Sequence, residues 1–478
     1  MIDPGEKIRS YISDLFGENN LFRFTEFINS EPQQYLRVNS LKTTQDKISQ
    51  HLLKKYGIKT ESIPEMPFAL KVLKGEEIAG KTLEHILGYY YIQGLSSMIP
   101  AVVLNPDEKD IVLDLCAAPG SKTTHLAELM RNKGTLIANE IQLSRLKALV
   151  HNIERMNIVN TGILHQKGEL LSKTYENHFD KILVDAPCSG LGIIQKKEEV
   201  VKWWNENKVQ GLSELQYKLI ISAIKMLKPG GEMVYSTCTL TVEENELIIN
   251  KVLSKFPVEI ITIKLPVVTH NGLTFHHEEK LNKDLEKGKR IFPWETGTDG
   301  FFIIKLKKTE ETKSQEKIYF SKKEVKIISY NHRNIFNKLK FLSVHFNINM
   351  DVFTGYNYLI KGIDIYFVSA LWKDNYPGMF ERIGLKFGTV DKHGEIVLSS
   401  EAAQLFGNEI KNKIIEINSR EELKIYMEGG IIKTDSYKEG QYVIKFEDNI
   451  IGTAVVTQSG IKSRFPRSKR TQEINTNF

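Results

Sequence analysis

The chain has 478 residues, 41% of them hydrophobic and 26% charged, with a formal net charge of +6. That length exceeds what one ordinary core accommodates and implies about three or four folded units, and the composition excludes a mostly disordered chain. No apolar run reaches bilayer-spanning length, and residues 1–9 mix charges of both signs without the apolar stretch of a signal peptide, so a cytoplasmic protein with no membrane partner is expected. The three cysteines, Cys116, Cys188 and Cys238, are too few for a disulfide framework and lack the CxxC spacing of a zinc site. No metal is expected. The positive balance suits a polyanionic partner.

In chain order, residues 35–73 read as a small α/β unit: an apolar run at 35–38, a helix over 43–56, and short apolar runs ending near residue 72. A small RRM-like, RNA-docking domain has this make-up. From Asp110 the pattern alternates strand and helix: 111–115, 122–130, 135–139, 143–156 and 161–164. Such alternation implies a parallel sheet covered by helices. Two further strands, at 181–184 and 233–235, flank a helix over 213–227 that buries Leu215, Leu219, Ala223 and Leu227 and is stopped by Lys228-Pro-Gly-Gly231. Runs at 258–263 and 301–306 complete the sheet, the second free to return antiparallel. Between residues 305 and 326 the composition turns to Lys, Glu, Thr and Ser and marks a linker or exposed edge. Short β-branched runs beyond it, such as 441–446 and 449–456, indicate a small β-rich domain. The expected class is α/β, a doubly wound Rossmann-like sheet between a small N-terminal α/β domain and a C-terminal β-rich domain, divided as 1–105, 106–308, 309–375 and 376–478.

The first sheet strand runs into Asp114-Leu-Cys-Ala-Ala-Pro-Gly-Ser-Lys122. Small residues at Ala117, Ala118 and Gly120 let the backbone approach a ligand closely, and the helix N-terminus that follows favours a carboxylate. Glu140, after the second strand, is placed to accept from both hydroxyls of a ribose. Neither GxGxxG nor GxxxxGK[ST] is present, so a cofactor with a ribose but no pyrophosphate fits best. S-adenosylmethionine has that make-up, and Lys122 is suited to its carboxylate. The same residues also suit a plain tight turn followed by a surface acid.

Asp185-Ala-Pro-Cys188 follows one strand and Ser236-Thr-Cys238 the next, so a parallel sheet brings both cysteines to its carboxyl edge, beside the cofactor loop. C5 of cytosine is too weak a nucleophile to take a methyl group unaided. A thiolate added at C6 makes C5 enamine-like, and a second cysteine can assist the later elimination. Asp185 is placed to hydrogen-bond the N3 and N4 edge of the base.

With these residues the chain resembles the Nop/Sun family of RNA cytosine-C5 methyltransferases. Arg37-Val-Asn-Ser-Leu-Lys42, Tyr91-Ile-Gln-Gly-Leu-Ser-Ser97, Asp114 to Lys122, Asp185 to Gly190, residues 228–239, Glu243-Glu-Asn245 and Asp299-Gly-Phe-Phe302 carry the resemblance in order. It implies a class I S-adenosylmethionine-dependent methyltransferase in which Cys238 is the nucleophile and Cys188 the release cysteine. It also implies that Cys116, Ala117, Ala118, Pro119, Gly120, Ser121 and Lys122 cradle the methionine part of the cofactor, with Glu140 on the ribose and Arg145 and Asp185 among the cofactor contacts. Lys122 then lies near the reacting centre. A departure occurs at His165-Gln-Lys-Gly168, where the family has an acid meeting the adenine amino group; a backbone group or Gln166 would take that place here.

Gly378 to Gly388 and Gly452 to Arg467 resemble a C-terminal PUA-like, RsmF-type RNA-binding appendage, which favours ribosomal RNA as partner and transfer RNA next. A non-catalytic ribosome-assembly factor is the alternative from another class, and a DNA cytosine methyltransferase would attack with Cys188 instead. Trp203-Trp204 reads as packing or a base-stacking pair, Lys196-Lys197 as a solvated loop or phosphate contact, and His276-His277 as surface. Lys462, Arg464, Arg467, Lys469 and Arg470 read as a basic tail that is solvated or meets phosphates.

Overall fold

The computed structural model describes residues 1–313 and 324–470, so the linker expected at 305–326 lies partly outside the described residues. The chain opens with two helices that the sequence reading did not anticipate, α1 (Gly5–Phe16) and α2 (Glu18–Ile28). Gly17, at φ 85°, turns the chain between them. Their apolar positions Ile8, Ile12, Phe24 and Ile28 recur at a helical spacing of four and are buried against Leu191, Ile194, Val200 and Trp204. The pair thus covers the segment that follows Cys188.

Strands β1 (Tyr35–Val38), β2 (Lys59–Ser62), β3 (Ala69–Lys74) and β4 (Tyr90–Ile92) form an antiparallel sheet in the order β2-β3-β1-β4. Helix α3 (Gln45–Tyr56) is part of this unit, capped by the Thr44 hydroxyl, which accepts from the Lys47 N–H, and closed by Gly57 in the left-handed region. Helix α4 (Leu95–Leu104) then leads into the central sheet.

That sheet contains β5 (Ile111–Asp114), β6 (Thr135–Asn139), β7 (Thr161–Leu164), β8 (Phe179–Asp185), β9 (Leu227–Thr237), β10 (Val258–Ile261) and β11 (Phe301–Lys308). Its order is β7-β6-β5-β8-β9-β11, with β10 also paired to β11. The first five strands run parallel and β11 returns antiparallel to β9. Helices α5 (Ser121–Leu129), α6 (Leu143–Arg155) and α7 (Glu206–Met226) connect them. Neighbouring residues feed opposite layers: Leu113 and Ile182 join one core, Val112 and Leu183 the other. Each fully buried aliphatic side chain of this kind stabilises the fold by about 1.5–3 kcal/mol. The doubly wound expectation agrees with this topology.

Among the described residues, the C-terminal half holds two five-stranded sheets. The first joins Ile327–Ser329, Tyr356–Lys361, Asp364–Ser369, Leu385–Val390 and Ile396–Leu398 as antiparallel neighbours. It runs across the division expected at 375/376, because Asp364–Ser369 and Leu385–Val390 are paired in one sheet; the shift in composition near residue 309 has no counterpart there. The second includes Gly440–Phe446 and Asn449–Thr457 and carries one parallel strand, Ile414–Ile417. Arg382–Ile383 pairs with β7, and Arg382 meets Glu154 at 2.6 Å, so the C-terminal half is stitched to the edge of the central sheet. No helix among the described residues is long and apolar enough to cross a membrane.

Candidate active site

The loop after β5 is shaped by its small residues. Gly120 sits at φ 104°, a conformation that favours glycine, and a Cβ there would lie 3.0 Å from Leu149 Cδ1. The Ala117 N–H donates to Asn139 O at 2.9 Å, and Ala117 and Ala118 are buried while Pro119 is exposed. Asp114 accepts from Thr123 at 2.7 Å, and burial pushes its carboxyl up to about 7. Burial likewise pushes the Cys116 thiol up, which keeps this cysteine protonated and unreactive.

Glu140 follows β6 and is 3% exposed. Its Oε1 accepts from the Gln142 N–H at 2.7 Å, and Arg145 lies 3.7 Å from Oε2, beyond hydrogen-bond distance. Arg145 also donates to Ala118 O and so ties the cofactor loop to this carboxylate. A nearly buried acid with a spare acceptor, beside a backbone turn whose positive φ favours glycine, fits a ribose-bearing cofactor. His165 to Gly168 adjoins it: Asn139 exchanges two hydrogen bonds of 3.1 Å with the Gln166 backbone, and His165 Nε2 lies 2.9 Å from Ile141 O.

The cysteines meet because β8 and β9 are parallel neighbours with Asp185 opposite Ser236. Cys188 Sγ and Cys238 Sγ are 3.1 Å apart. The contact with Cys238 and burial push the Cys188 thiol up, so it holds its proton. Asp185 accepts from Ser236 Oγ at 2.8 Å and pairs with Lys122 Nζ at 2.7 Å. Lys122, 6% exposed, also donates to Ser97 Oγ at 2.8 Å and lies 5.3 Å from the centre of the Phe301 ring. Two thiols, a carboxylate and an ammonium thus converge beside the cofactor loop.

A buried brace holds the two cysteine loops together. Glu244 accepts from the Ser189 N–H at 2.9 Å, Gln216 Nε2 at 2.9 Å and Thr241 Oγ1 at 2.7 Å. Asn245 accepts from Thr237 Oγ1 at 2.6 Å and donates to Thr239 O at 3.2 Å, which fixes the turn around Cys238. Gly192 donates to Cys238 O at 3.0 Å and lies so near Gly300 that a Cβ would come 2.2 Å from its carbonyl oxygen. In the sequence alone nothing marks Glu243-Glu-Asn245 as a brace, because its partners Ser189 and Gln216 lie far away along the chain.

Arg37 is a second such residue, with partners distant in sequence. It is fully buried, donating to Gln93 Oε1, Ser121 O, Thr124 Oγ1 and Glu128 Oε1. It therefore docks the N-terminal sheet along α5, from Ser121 in its first turn to Glu128 in its last. Lys196 pairs with Asp299 at 2.7 Å, and Lys196 and Lys197 line a cavity of about 590 Å³ with Tyr35, Gln93, Gly94 and Ser121. In the C-terminal tail, Lys469 is 2% exposed and paired with Glu401 at 3.2 Å, which removes it from the expected phosphate contacts. The His276 and His277 rings lie tilted at 48° with centres 4.1 Å apart, and among the described residues no group of three metal-ligating side chains is assembled.

Sheet order and cofactor loop define a class I methyltransferase. The family profile described as 16S rRNA methyltransferase RsmB/F matches residues 101–307. Ribosomal RNA small subunit methyltransferase F of Vibrio campbellii is 32% identical over 448 residues, 90% of this chain and 90% of that protein. The chain belongs to this RsmB/F group of the Nop/Sun family of RNA cytosine-C5 methyltransferases. The 26S rRNA (cytosine-C(5))-methyltransferase nsun-1 of Caenorhabditis elegans is 35% identical over 66% of this chain, which spans 48% of that relative. It spans 38% of the human 28S rRNA (cytosine(4447)-C(5))-methyltransferase, so it covers about half or less of these animal relatives. Among solved structures, NSun6 of Pyrococcus horikoshii with SFG superposes with a TM-score of 0.57 at 26% identity, covering 64% of this chain and 99% of that one.

Proposed function

We propose that this chain methylates C5 of a cytosine in RNA, with ribosomal RNA as substrate and S-adenosylmethionine as methyl donor. The observation that carries this reading is the 3.1 Å approach of Cys188 and Cys238 beside the Lys122–Asp185 pair. When bound, S-adenosylmethionine supplies the electrophilic methyl group at the carboxyl edge of the sheet.

Cys238, as thiolate, adds to C6 and forms a C–S bond while the C5=C6 electron pair moves to C5. C5 then bonds to the methyl carbon as that carbon's bond to the donor's sulfonium breaks, the electron pair staying on sulfur. Loss of the C5 proton to solvent and breakage of the C6–S bond, which expels the Cys238 thiolate, restore the double bond, with Cys188 assisting release. Asp185 holds the amino edge of the base, and Lys122 fixes that carboxylate in place. Cys116 to Lys122 cradle the methionine part and Glu140 takes the ribose hydroxyls, with Arg145 bracing both. The small N-terminal sheet and the PUA-like, β-rich C-terminal region would dock the RNA.

Transfer RNA is the second candidate: the tRNA (cytosine(49)-C(5))-methyltransferase of Pyrococcus abyssi is 37% identical, and this chain covers 87% of it. The test is to incubate the full chain and Cys238→Ala with labelled S-adenosylmethionine and separate unmodified ribosomal and transfer RNA, then map 5-methylcytosine. Methylation of one ribosomal cytosine, abolished by Cys238→Ala, is expected. Methylation of transfer RNA alone would move the substrate assignment, and no methylation of either RNA would sink the reading.

A further inference from the structure

Trp203 and Trp204 have opposite surroundings. Trp204 is 5% exposed and packs edge-on against Tyr11, 5.3 Å between ring centres, in the core beneath α1 and α2. Trp203 is only partly covered, with Lys208 Nζ 4.9 Å from its ring centre. Together with Cys188, Lys208, Gly211 and Leu212 it lines a cavity of about 600 Å³. Cys188 forms part of the wall, and its sulfur touches Cys238. An occupant of this cavity is therefore next to Cys188, one sulfur contact away from Cys238.

Gly211 adds an independent indication. It lies within α7, where glycine costs about 1 kcal/mol relative to alanine. It has no positive φ, and a Cβ there would meet nothing within 4 Å. Neither backbone conformation nor packing requires glycine at this position, and its missing side chain leaves one wall of the cavity bare.

We infer that this cavity receives the nucleobase adjacent to the target cytosine, stacked on the Trp203 indole, with Lys208 beside its phosphate. The inference rests on the proposed RNA methylation. For C6 to reach Cys238 the cytosine must leave the base stack, which deprives its neighbour of a stacking partner. An indole restores that partner for any base, since every base has a π face. Lys208 is exposed, and an ammonium near the phosphate adds a salt-sensitive contribution. The site therefore captures the strand with little dependence on the neighbour's identity.

The test is a thermodynamic cycle between protein and RNA. The probe is a synthetic RNA segment containing the cytosine methylated by the wild-type chain, made intact and with an abasic ribonucleotide on either side of that cytosine. Trp203→Ala should raise the KM for intact RNA about five- to 150-fold, with S-adenosylmethionine affinity unchanged. One of the two abasic RNAs should lose as much with the wild-type chain and almost nothing further with Trp203→Ala. Trp203→Phe should recover most of the loss. Gly211→Leu, which helix propensity favours, should raise KM while preserving the melting temperature. Additive losses for Trp203→Ala and both abasic RNAs, or a wild-type KM in Gly211→Leu, would overturn the site. A loss confined to kcat would instead assign the cavity to the cytosine itself. If the wild-type chain methylates no RNA, it is the underlying reading that fails.

Discussion

Glu244 should set the spacing of the two cysteines without touching the substrate, and Glu244→Ala isolates that effect. Truncation leaves the Ser189 N–H and Gln216 Nε2, each 2.9 Å from the carboxylate, without their acceptor in a buried setting. Two stranded donors cost about 1–3 kcal/mol each, or roughly 2–6 kcal/mol of stability in the catalytic unit. Ser189 directly follows Cys188 and Thr241 lies three residues beyond Cys238, so relaxation of the brace displaces the sulfurs. A displacement of about 1 Å at reacting groups costs on the order of 100-fold in rate. Glu244→Gln is the informative control. Its amide oxygen can face Ser189 and Gln216 while its NH2 donates to the Thr241 hydroxyl, which is able to accept. In steady-state methyl transfer we therefore expect kcat to fall about 100-fold in Glu244→Ala and to stay near wild type in Glu244→Gln, with the KM for S-adenosylmethionine unchanged in both. A wild-type kcat in Glu244→Ala would refute the positioning role. An equal loss in Glu244→Gln would mean that the charge, rather than the hydrogen-bond geometry, matters.

Three other perturbations probe the loop and its supports. Glu140→Ala removes the acceptor assigned to the ribose and should weaken S-adenosylmethionine binding in calorimetry by about ten- to 150-fold; an unchanged Kd would contradict that assignment. Arg37→Met leaves the buried Glu128 carboxylate without its partner and should cost about 3–5 kcal/mol in urea unfolding, so a loss under about 1 kcal/mol would count against the docking role. Asp114 has a folded pKa of about 7, above its unfolded value of 3.8, so its protonation stabilises the fold fully below pH 3.8 and the effect is lost as pH rises through 7. The stability of the wild-type chain relative to Asp114→Asn should accordingly fall between pH 4 and pH 8, and a flat difference would show that Asp114 is not held neutral.

Local pattern made the central sheet legible. The strands Thr135–Asn139 and Thr161–Leu164 coincide with the apolar runs at 135–139 and 161–164, because both are buried on two faces and read as uninterrupted stretches. Helix α7 begins seven residues before the expected 213: Asn205 caps it by accepting from the Lys208 N–H at 3.0 Å, and Gly211 obscured the periodicity. The helices α1 and α2 carried a readable signal in the spacing of Ile8 and Ile12 and of Phe24 and Ile28, but nothing local indicated what they cover. At the site, strand-end logic brought Asp185, Cys188 and Cys238 together. Arg37 and Glu244 act through partners far away in sequence, Glu128 and Ser189, and only the folded chain reveals those pairings.

The central claim is that Cys238 bonds to the base and Cys188 releases it, and Cys188→Ala tests this most directly. Incubated with S-adenosylmethionine and unmodified ribosomal RNA, this variant should accumulate a protein–RNA adduct that survives denaturation, and the Cys188→Ala/Cys238→Ala double variant should form none. An adduct that persists without Cys238, or one formed by Cys238→Ala but not by Cys188→Ala, would contradict the assignment of the two cysteines.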